Sequence, residues 1–343
     1  MKYKALIKFL IVILTIIAYA ADAPNINANE NTSNTISLGL TIPNIKTTDS
    51  IGLAIDDGSF NFFSHGDDGD LIFNSPAISL THAGKFDFSF IVGSHNKNYN
   101  FQTSNEGDYD YVDLIPVDGS ASPGAITYNV GLQTIVTKSN LNMFSYNQLW
   151  DASDLNLNED DFLHQLRSQF LTKVGVKANY SQYSTKWDYT NPSNSFTHYS
   201  KESISMFSVG PMLRLEAYGE PLNENTDIYY KADISALLSR DSMDAENSYR
   251  DNFNIYNASD DRLTMAGIVN LVVGMNNQHE SGAVISLTGA LDIRNDLPFI
   301  AKPICTTGMD CDSADYAAQA KAAHLDTRIT VSPSINLSVS LDF

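Results

Sequence analysis

The end of the chain alternates strictly between apolar and polar side chains. From Arg328 to Phe343 every even position is polar, and every odd position is apolar: Ile329, Val331, Pro333, Ile335, Leu337, Val339, Leu341 and Phe343. A period of two places each set on one face of a β-strand. The run is also much longer than the usual strand of ~5–6 residues. It therefore predicts a long strand whose two faces meet different environments.

The same alternation recurs along most of the chain. It is seen in Ile36–Ile42, Phe86–Val92, Ile126–Val136, Phe170–Tyr180, Phe207–Ala217, Ile228–Leu238, Leu263–Val273 and Ala283–Ile293. Strands that cross a bilayer need about 9–11 regular residues, with one face toward lipid and the other toward a lumen. A soluble sandwich shares the alternation, so the pattern alone predicts an all-β chain and leaves both architectures open.

Charged residues stand in the middle of several strands, on the polar face. In a barrel they would line an aqueous lumen, and we predict this lining set to be Lys173, Lys177, Arg214, Glu216, Lys231, Asp233, Asp292 and Arg294. In a sandwich the same residues would face bulk solvent.

The connections favour the barrel because they alternate between short and long. Gly219–Asn225 and Asn276–Gly282 are short, whereas Trp187–Glu202, Arg240–Asp260 and Asp296–Leu325 are long and polar. Outer-membrane barrels have short periplasmic turns and long external loops. We therefore predict a transmembrane antiparallel up-and-down β-barrel over residues 35–343, with about 12 strands (range 10–14) and a periplasmic C-terminus. Residues 44–80 are the weakest part of this count, and Asp151–Ser168 could form a short helix.

The N-terminus has the features of an export signal. Lys2, Lys4 and Lys8 precede the apolar run Phe9–Ala18, and Ala18-Tyr19-Ala20 has the small-residue pattern of a cleavage site. A transmembrane anchor would need ~20 apolar residues. We predict a signal peptide at residues 1–20, a flexible segment at residues 21–34, and a barrel exported to the bacterial outer membrane.

Charge excludes one class of partner. The chain has 21 basic and 40 acidic residues, for a net charge of −19, whereas nucleic-acid binding needs a basic surface. The expected partners are outer-membrane lipid, lipopolysaccharide and small solutes. The aspartate clusters at Asp56-Asp57, Asp67–Asp70 and Asp310–Asp315 lack the full calcium-loop pattern and are interpreted as solvated loops. No metal and no cofactor is expected.

Cys305 and Cys311 lie in one predicted external loop. An exported protein reaches an oxidising compartment, so we predict a disulfide between them rather than two free thiols. Their spacing matches no zinc pattern.

Two resemblances refine the prediction. The final strand Asn336–Phe343 looks like the C-terminal signature that outer-membrane proteins present to their barrel-assembly machinery, which implies Leu337, Val339, Leu341 and Phe343 as the assembly signal. Residues 174–184 and 208–238 are similar to the Legionella-type major outer membrane protein family, which implies a pore-forming barrel.

Catalytic motifs give little support to an enzyme. His198-Tyr199-Ser200 resembles the His-x-Ser core of outer-membrane lipid A deacylases, but Lys201 stands where that family has Asn. The primary hypothesis is therefore a pore for passive diffusion of small solutes. The alternatives are a structural or adhesive surface barrel without transport and, with less support, a lipid-modifying enzyme.

Overall fold

A computed structural model describes most of the barrel region. The described residues are 34–41, 44–46, 53–56, 62–64, 70–72, 75–82, 85–103, 111–114, 117–119, 124–127, 131–154, 163, 166, 169–190, 197–249, 254–279, 282–295, 297–301, 322–327 and 329–342. The predicted signal peptide, Cys305, Cys311 and Phe343 lie outside these residues. Of the predicted N-terminal segment 21–34, Asn34 is described, and it already belongs to the first strand.

The described residues form eighteen strands and one short 3-10 turn. In chain order the strands are β1 (Asn34–Thr41), β2 (Asn44–Lys46), β3 (Leu53–Asp56), β4 (Phe62–Ser64), β5 (Asp70–Ile72), β6 (Ser75–His82), β7 (Phe86–Thr103), β8 (Tyr111–Leu114), β9 (Gly124–Thr127), β10 (Gly131–Asp151), β11 (Leu171–Thr190), β12 (Thr197–Tyr218), β13 (Thr226–Tyr249), β14 (Asn254–Gln278), β15 (Ala283–Arg294), β16 (Pro298–Ala301), β17 (His324–Thr327) and β18 (Thr330–Asp342). The 3-10 turn, Ala152–Asp154, follows β10. No helix in this part of the chain is long and apolar enough to cross a membrane.

Ten of these strands close into an antiparallel barrel. Their order is β1-β18-β15-β14-β13-β12-β11-β10-β7-β6, and β1 pairs with both β18 and β6. The predicted all-β, antiparallel up-and-down barrel is therefore confirmed. Within the described residues the ring contains ten strands, which is the lower end of the predicted range rather than its centre at 12.

The ring has ten strands rather than 12 partly because individual strands are longer than predicted. β13 and β14 contain 24 and 25 residues, so most of the predicted loop Arg240–Asp260 is strand, and the connection is 250–253. The predicted loop Trp187–Glu202 likewise shrinks to 191–196 between β11 and β12. Along the β13 extension the outward positions Arg240, Ser242, Asp244 and Glu246 are polar, whereas Met243 and Ala245 face inward. The outward apolar alternation that marks the rest of the strand therefore disappears there.

The rest of the difference in strand number comes from short strands that lie outside the ring. β4, β3, β8 and β9 form a separate four-stranded sheet that joins the β1–β6 connection to the β7–β10 connection. The periodic run Ile126–Val136, predicted as one strand, is divided between β9 and β10. Short strands that the predicted count of about 12 included in the barrel therefore belong to the connections between β1 and β6 and between β7 and β10.

The outer surface carries an apolar band. Along β14 the odd positions face outward, including Leu263, Met265 and Val273, and Met265 is 72% exposed. Leu337 and Val339 of the predicted assembly signal also face outward on β18. At the level of the first band residues, Arg240 on β13 is the register partner of Phe207 and Leu263. Its Nη2 lies 2.6 Å from Oδ2 of outward Asp261 on β14, so a charged pair marks one edge of the band on these two strands.

One part of the outer wall is covered by the chain itself. Leu166 and Phe170, from the connection between β10 and β11, pack against Leu215 and Ala232 near the ends of β12 and β13 that the Gly219–Asn225 turn joins. The backbone N–H of Phe170 donates to the carbonyl of Leu166 over 2.9 Å. The β10–β11 connection therefore forms a small apolar cluster with the outer face of β12 and β13.

Candidate lumen site

The inner wall of the barrel encloses a polar cavity. Strand alternation places Arg214 inward between outward Leu213 and Leu215, and it places Asp233 inward on the neighbouring strand. The cavity has a volume of about 510 Å³. Its charged lining residues are Asp87, Lys177, Arg214, Glu216, Lys231, Asp233, Asp292 and Arg294.

The predicted lumen residues occupy one region of this wall. Seven of the eight line the cavity directly. The eighth, Lys173 on β11, is the register partner of Arg214 on β12, and its Nζ lies 3.7 Å from Glu216 Oε2. The predicted lumen residues, which lie on β11, β12, β13 and β15, therefore share one region of the inner wall.

Arg214 is the centre of the charged lining. Its Nε and Nη2 donate to the two carboxylate oxygens of Asp233 over 2.7 and 3.0 Å. Its Nη1 lies 2.5 Å from Asp87 Oδ2, and its Nε lies 3.9 Å from Glu216 Oε1. Arg214 is 5% exposed. One guanidinium thus joins three carboxylates, and the planar fork of donors is suited to this geometry.

The contact with Asp87 crosses the lumen. Asp87 is on β7 and Arg214 is on β12, and β10 and β11 stand between these two strands in the ring. Eight strands leave an interior just filled by side chains, whereas porins with open channels have 16–18. A ten-stranded ring is close to the narrow limit, so this ion pair constricts the lumen at the level of the cavity.

Asp87 was missed by the sequence reasoning. It lies between Phe86 and Phe88 in a run that was interpreted by its aromatic residues, and the nearest alternate positions are Lys85 and Ser89. A charged residue in the middle of an otherwise aromatic strand was the available signal. Its partner on β12 depends on barrel closure, which the sequence pattern does not specify.

Several inner-wall groups indicate a hydrated lumen. Within the described residues, buried Asn147 Oδ1, Asn179 Nδ2, Ser181 Oγ, Ser208 Oγ and Ser235 Oγ have no protein hydrogen-bond partner. Buried polar groups are satisfied by protein or by water. Water is therefore the expected partner of these groups, which supports an aqueous interior around the charged lining.

The end of the lumen away from the β12–β13 turn contains an apolar cluster, which we call the plug cluster. Inward Ile204, Met243 and Ala245 of the wall contact residues contributed by the connections at that end, and all members are at most 6% exposed. The contributed residues are Val117, Ile300, Ala323 and Leu325. Ile300 and Leu325 belong to the β16–β17 hairpin, which therefore folds into the barrel mouth.

Hydrogen bonds fasten the plug cluster to the wall. The backbone N–H of Val117 donates to Asn247 Oδ1 over 3.3 Å, and that of Leu325 donates to Asp260 Oδ2 over 2.9 Å. The two inserted pieces are joined to each other, since Ala323 N–H donates to the Val117 carbonyl over 2.7 Å. The buried backbone of the plug is thus partly satisfied by polar side chains of β13 and β14.

The plug cluster was also missed by the sequence reasoning, which treated Asp296–Leu325 as a polar external loop. Leu297-Pro298-Phe299-Ile300 is a short apolar run within that loop, and it was the available signal. Its burial depends on contacts with residues distant in sequence, such as Val117 and Ile204.

Other candidate chemistry is not assembled within the described residues. Ser200 of the deacylase-like motif is fully buried on the inward face of β12. No group of three or more metal-ligating side chains is present among the residues that the structure describes.

Comparison with known proteins adds little. No protein-family model matches the chain, and no curated protein does. Solved structures that it resembles weakly include a Pseudomonas aeruginosa FadL homologue (9% identity, covering 91% of this chain and 90% of that chain, TM-score 0.21). Others are the P. putida toluene transporter TodX (10%, 95% and 92%, 0.20) and OmpT of Vibrio cholerae (7%, 90% and 96%, 0.17). These TM-scores are too low to carry an argument, and the similarity to the Legionella-type family stays a prediction.

Proposed function

We propose that the protein is an outer-membrane barrel whose lumen conducts small hydrophilic solutes and is closed on the external side in the state described here. The placement in the membrane is supported by the outward apolar band, of which Met265 is 72% exposed. Such a surface would be costly in water. The predicted export signal and the C-terminal strand agree with this placement.

The observation that carries the conducting role is the charged cavity of about 510 Å³ inside the ring. A purely structural barrel of this width can fill its interior with apolar side chains, as the plug cluster does at the external end. Instead, the central lumen has basic and acidic groups and buried polar groups that need water. Wall charges of both signs would admit small polar solutes and select among them by size and charge.

A second candidate is a structural or adhesive surface barrel without transport. The specific observation in its favour is the double closure of the lumen, by the Arg214–Asp87 ion pair and by the plug cluster. In this case the long external extensions of β13 and β14 would be the functional surface.

Conductance in planar bilayers separates the two candidates. The wild-type protein should open rarely. Ile300→Ser combined with Leu325→Ser places hydroxyls in the apolar plug cluster, so it should raise the open probability strongly. Leu222→Ser is the matched control, because Leu222 is 61% exposed in the turn between β12 and β13. Absence of discrete current steps in the wild type and in the plug variant would contradict the conducting role and favour the structural one.

Three further parts of the proposal are independent of conductance. Cleavage after Ala20 is tested by the N-terminal sequence of the protein from outer membranes. The Cys305–Cys311 disulfide is tested by its mass change on reduction and alkylation. Engagement of the barrel-assembly machinery through the last strand is tested by deleting Phe343, which should reduce membrane insertion.

A further inference from the structure

Three lysines form a row across the outer wall of the barrel. Lys138 on β10 is the register partner of Lys186 on β11, and Lys186 is the register partner of Lys201 on β12. Directly opposed residues of one face have Cβ atoms ~4.5–5.5 Å apart. Two consecutive pairings of like charges are unfavourable unless an anion lies between them.

The alternation of burial shows that this row faces outward. Lys186 and Lys201 have side chains that are 45% and 53% exposed, while the adjacent Thr185 and Glu202 are buried. Lys138 is exposed beside buried Ser139. All three lysines line a recess of about 660 Å³ on this wall. Asp244 and Glu246 of β13 line the same recess, so the lysines form its basic side on a chain whose net charge is −19.

The row has a constant position relative to the apolar band. Moving toward the periplasm, the first large exposed apolar or aromatic side chain is Phe144 on β10, Tyr180 on β11 and Phe207 on β12. Each lies six residues from the lysine of its own strand. Six residues span ~20 Å along a strand, or about 15 Å of height at a tilt of ~40°.

The outward positions between the band and the lysines are polar and uncharged. They are Asn140, Asn142, Gln182, Ser184, Ser203 and Ser205. These amides and hydroxyls can both donate and accept hydrogen bonds, as sugar hydroxyl groups require. The wall therefore presents a neutral hydrogen-bonding belt below and cations above.

This order of groups decides which anion fits. An ordinary phospholipid headgroup occupies only ~5–8 Å beyond the hydrocarbon, whereas the lysines begin about 15 Å beyond the band. A lipid whose sugars project outward and carry phosphate would meet the belt with its hydroxyls and the lysines with its phosphates. The flexible lysine stems allow the ammonium groups to adjust to that depth.

The acidic neighbours of the row do not neutralise it. Lys186 Nζ lies 2.7 Å from Asp188 Oδ1, and Lys201 Nζ lies 3.2 Å from Glu246 Oε1. Asp188 stands beyond the row, away from the band, and Glu246 stands at its lateral end on β13. Neither of these two carboxylates lies in the belt. A third, Asp244 on β13, is the register partner of Ser203 and lines the same recess, so it stands at the β12 edge of the belt, and the band-side approach over β10 and β11 is cationic.

We propose that Lys138, Lys186 and Lys201, together with the neutral belt, bind the phosphate groups of a phosphorylated glycolipid in the outer leaflet. This inference depends on the proposed membrane placement and not on conductance. A barrel that inserts but never conducts would leave it intact.

The test measures binding of purified lipopolysaccharide to the full-length protein in detergent micelles by isothermal titration. A lysine near an anionic surface contributes about 1 kcal/mol, or roughly fivefold. The Lys138→Gln/Lys186→Gln/Lys201→Gln variant should therefore bind about 100-fold more weakly. The corresponding triple arginine variant should retain binding, and unchanged far-UV circular dichroism should show that both remain folded. Matched controls are Lys85→Gln, beside the β6–β7 turn, and Arg240→Gln, which lies outward on β13; neither should change affinity.

Two probe arms identify the source of the anion. Chemically dephosphorylated lipopolysaccharide should bind the wild type as weakly as intact lipopolysaccharide binds the triple glutamine variant. Inorganic phosphate at the same phosphate concentration should not compete. Equal binding by wild type and triple glutamine variant, equal binding of both lipid preparations, or full competition by inorganic phosphate would each overturn the proposal.

Discussion

Replacing Arg214 with methionine removes the cation that joins three carboxylates in the lumen. The lost contacts are those with Asp233 at 2.7 and 3.0 Å, Asp87 at 2.5 Å and Glu216 at 3.9 Å. Removing one partner of a buried pair costs about 3–5 kcal/mol, because the other charge stays buried without compensation. We expect Arg214→Met to reduce the free energy of unfolding by this amount.

The companion change Asp233→Asn should cost less. Arg214 keeps its contact with Asp87, so the loss is that of a charge-assisted hydrogen bond, about 1.5–3 kcal/mol. In the double variant the asparagine leaves no unpaired charge at position 233. The double variant should therefore be no less stable than Arg214→Met alone, which corresponds to a coupling energy of about 1.5–3 kcal/mol.

The assay is urea unfolding in detergent micelles, followed by tryptophan fluorescence and by the mobility of the folded barrel on unboiled gels. Arg240→Met is the matched control, since the Arg240–Asp261 pair is 2.6 Å long but its side chains are 72% and 51% exposed. Its unfolding midpoint should equal that of the wild type. If the stability loss of the double variant equals the sum of the two single-variant losses within ~0.5 kcal/mol, the conclusion that one guanidinium organises this site is refuted.

Two smaller predictions concern the inner wall and the external extension. A Cβ at Gly274 would lie 2.4 Å from the Tyr229 ring, so Gly274→Ala should displace that ring and lower stability by about 1–3 kcal/mol. Gly267→Ala, with no neighbour closer than 3.7 Å, should not do so, and equal urea midpoints for the two variants would contradict the packing. Hydrogen bonds from Tyr199 and Lys201 lower the pKa of Glu246, so Tyr199→Phe should raise that pKa in carbon-13 NMR titrations. Because the pKa of Glu246 is lower in the folded than in the unfolded protein, this carboxylate stabilises the fold slightly at pH values above the ordinary glutamate pKa. That stabilisation is lost as the pH falls through the folded pKa. An unchanged Glu246 pKa in Tyr199→Phe would contradict the prediction.

The sequence predicted the faces of the strands better than their ends. Alternation in Phe207–Ala217 and Ile228–Leu238 was sufficient to place Arg214 and Asp233 on one inner wall, because an apolar outer face constrains every second residue. Beyond the band the outward face of β13 is polar and the apolar residues Met243 and Ala245 are on the inward face, so the outward apolar pattern carries no information about where β13 ends. The ten strands of the described ring lie at the lower end of the predicted range of 10–14.

Closure of the lumen required information that a linear pattern does not contain. The Arg214–Asp87 contact depends on the size of the ring, and the contact of Val117 with the β16–β17 hairpin depends on how two distant connections meet. The lysine row depends on strand register, because only pairing places Lys138, Lys186 and Lys201 side by side.

The central claim is that the outer face of the ring contacts lipid chains and the inner face contacts water. Val273 and Val272 are adjacent on β14 and face outward and inward, respectively, so they offer a matched pair. In a background without Trp150 and Trp187, Val273→Trp fluorescence should be quenched strongly by lipids brominated on their acyl chains, and Val272→Trp fluorescence should not. Equal quenching at both positions, or none at Val273→Trp, would contradict the account.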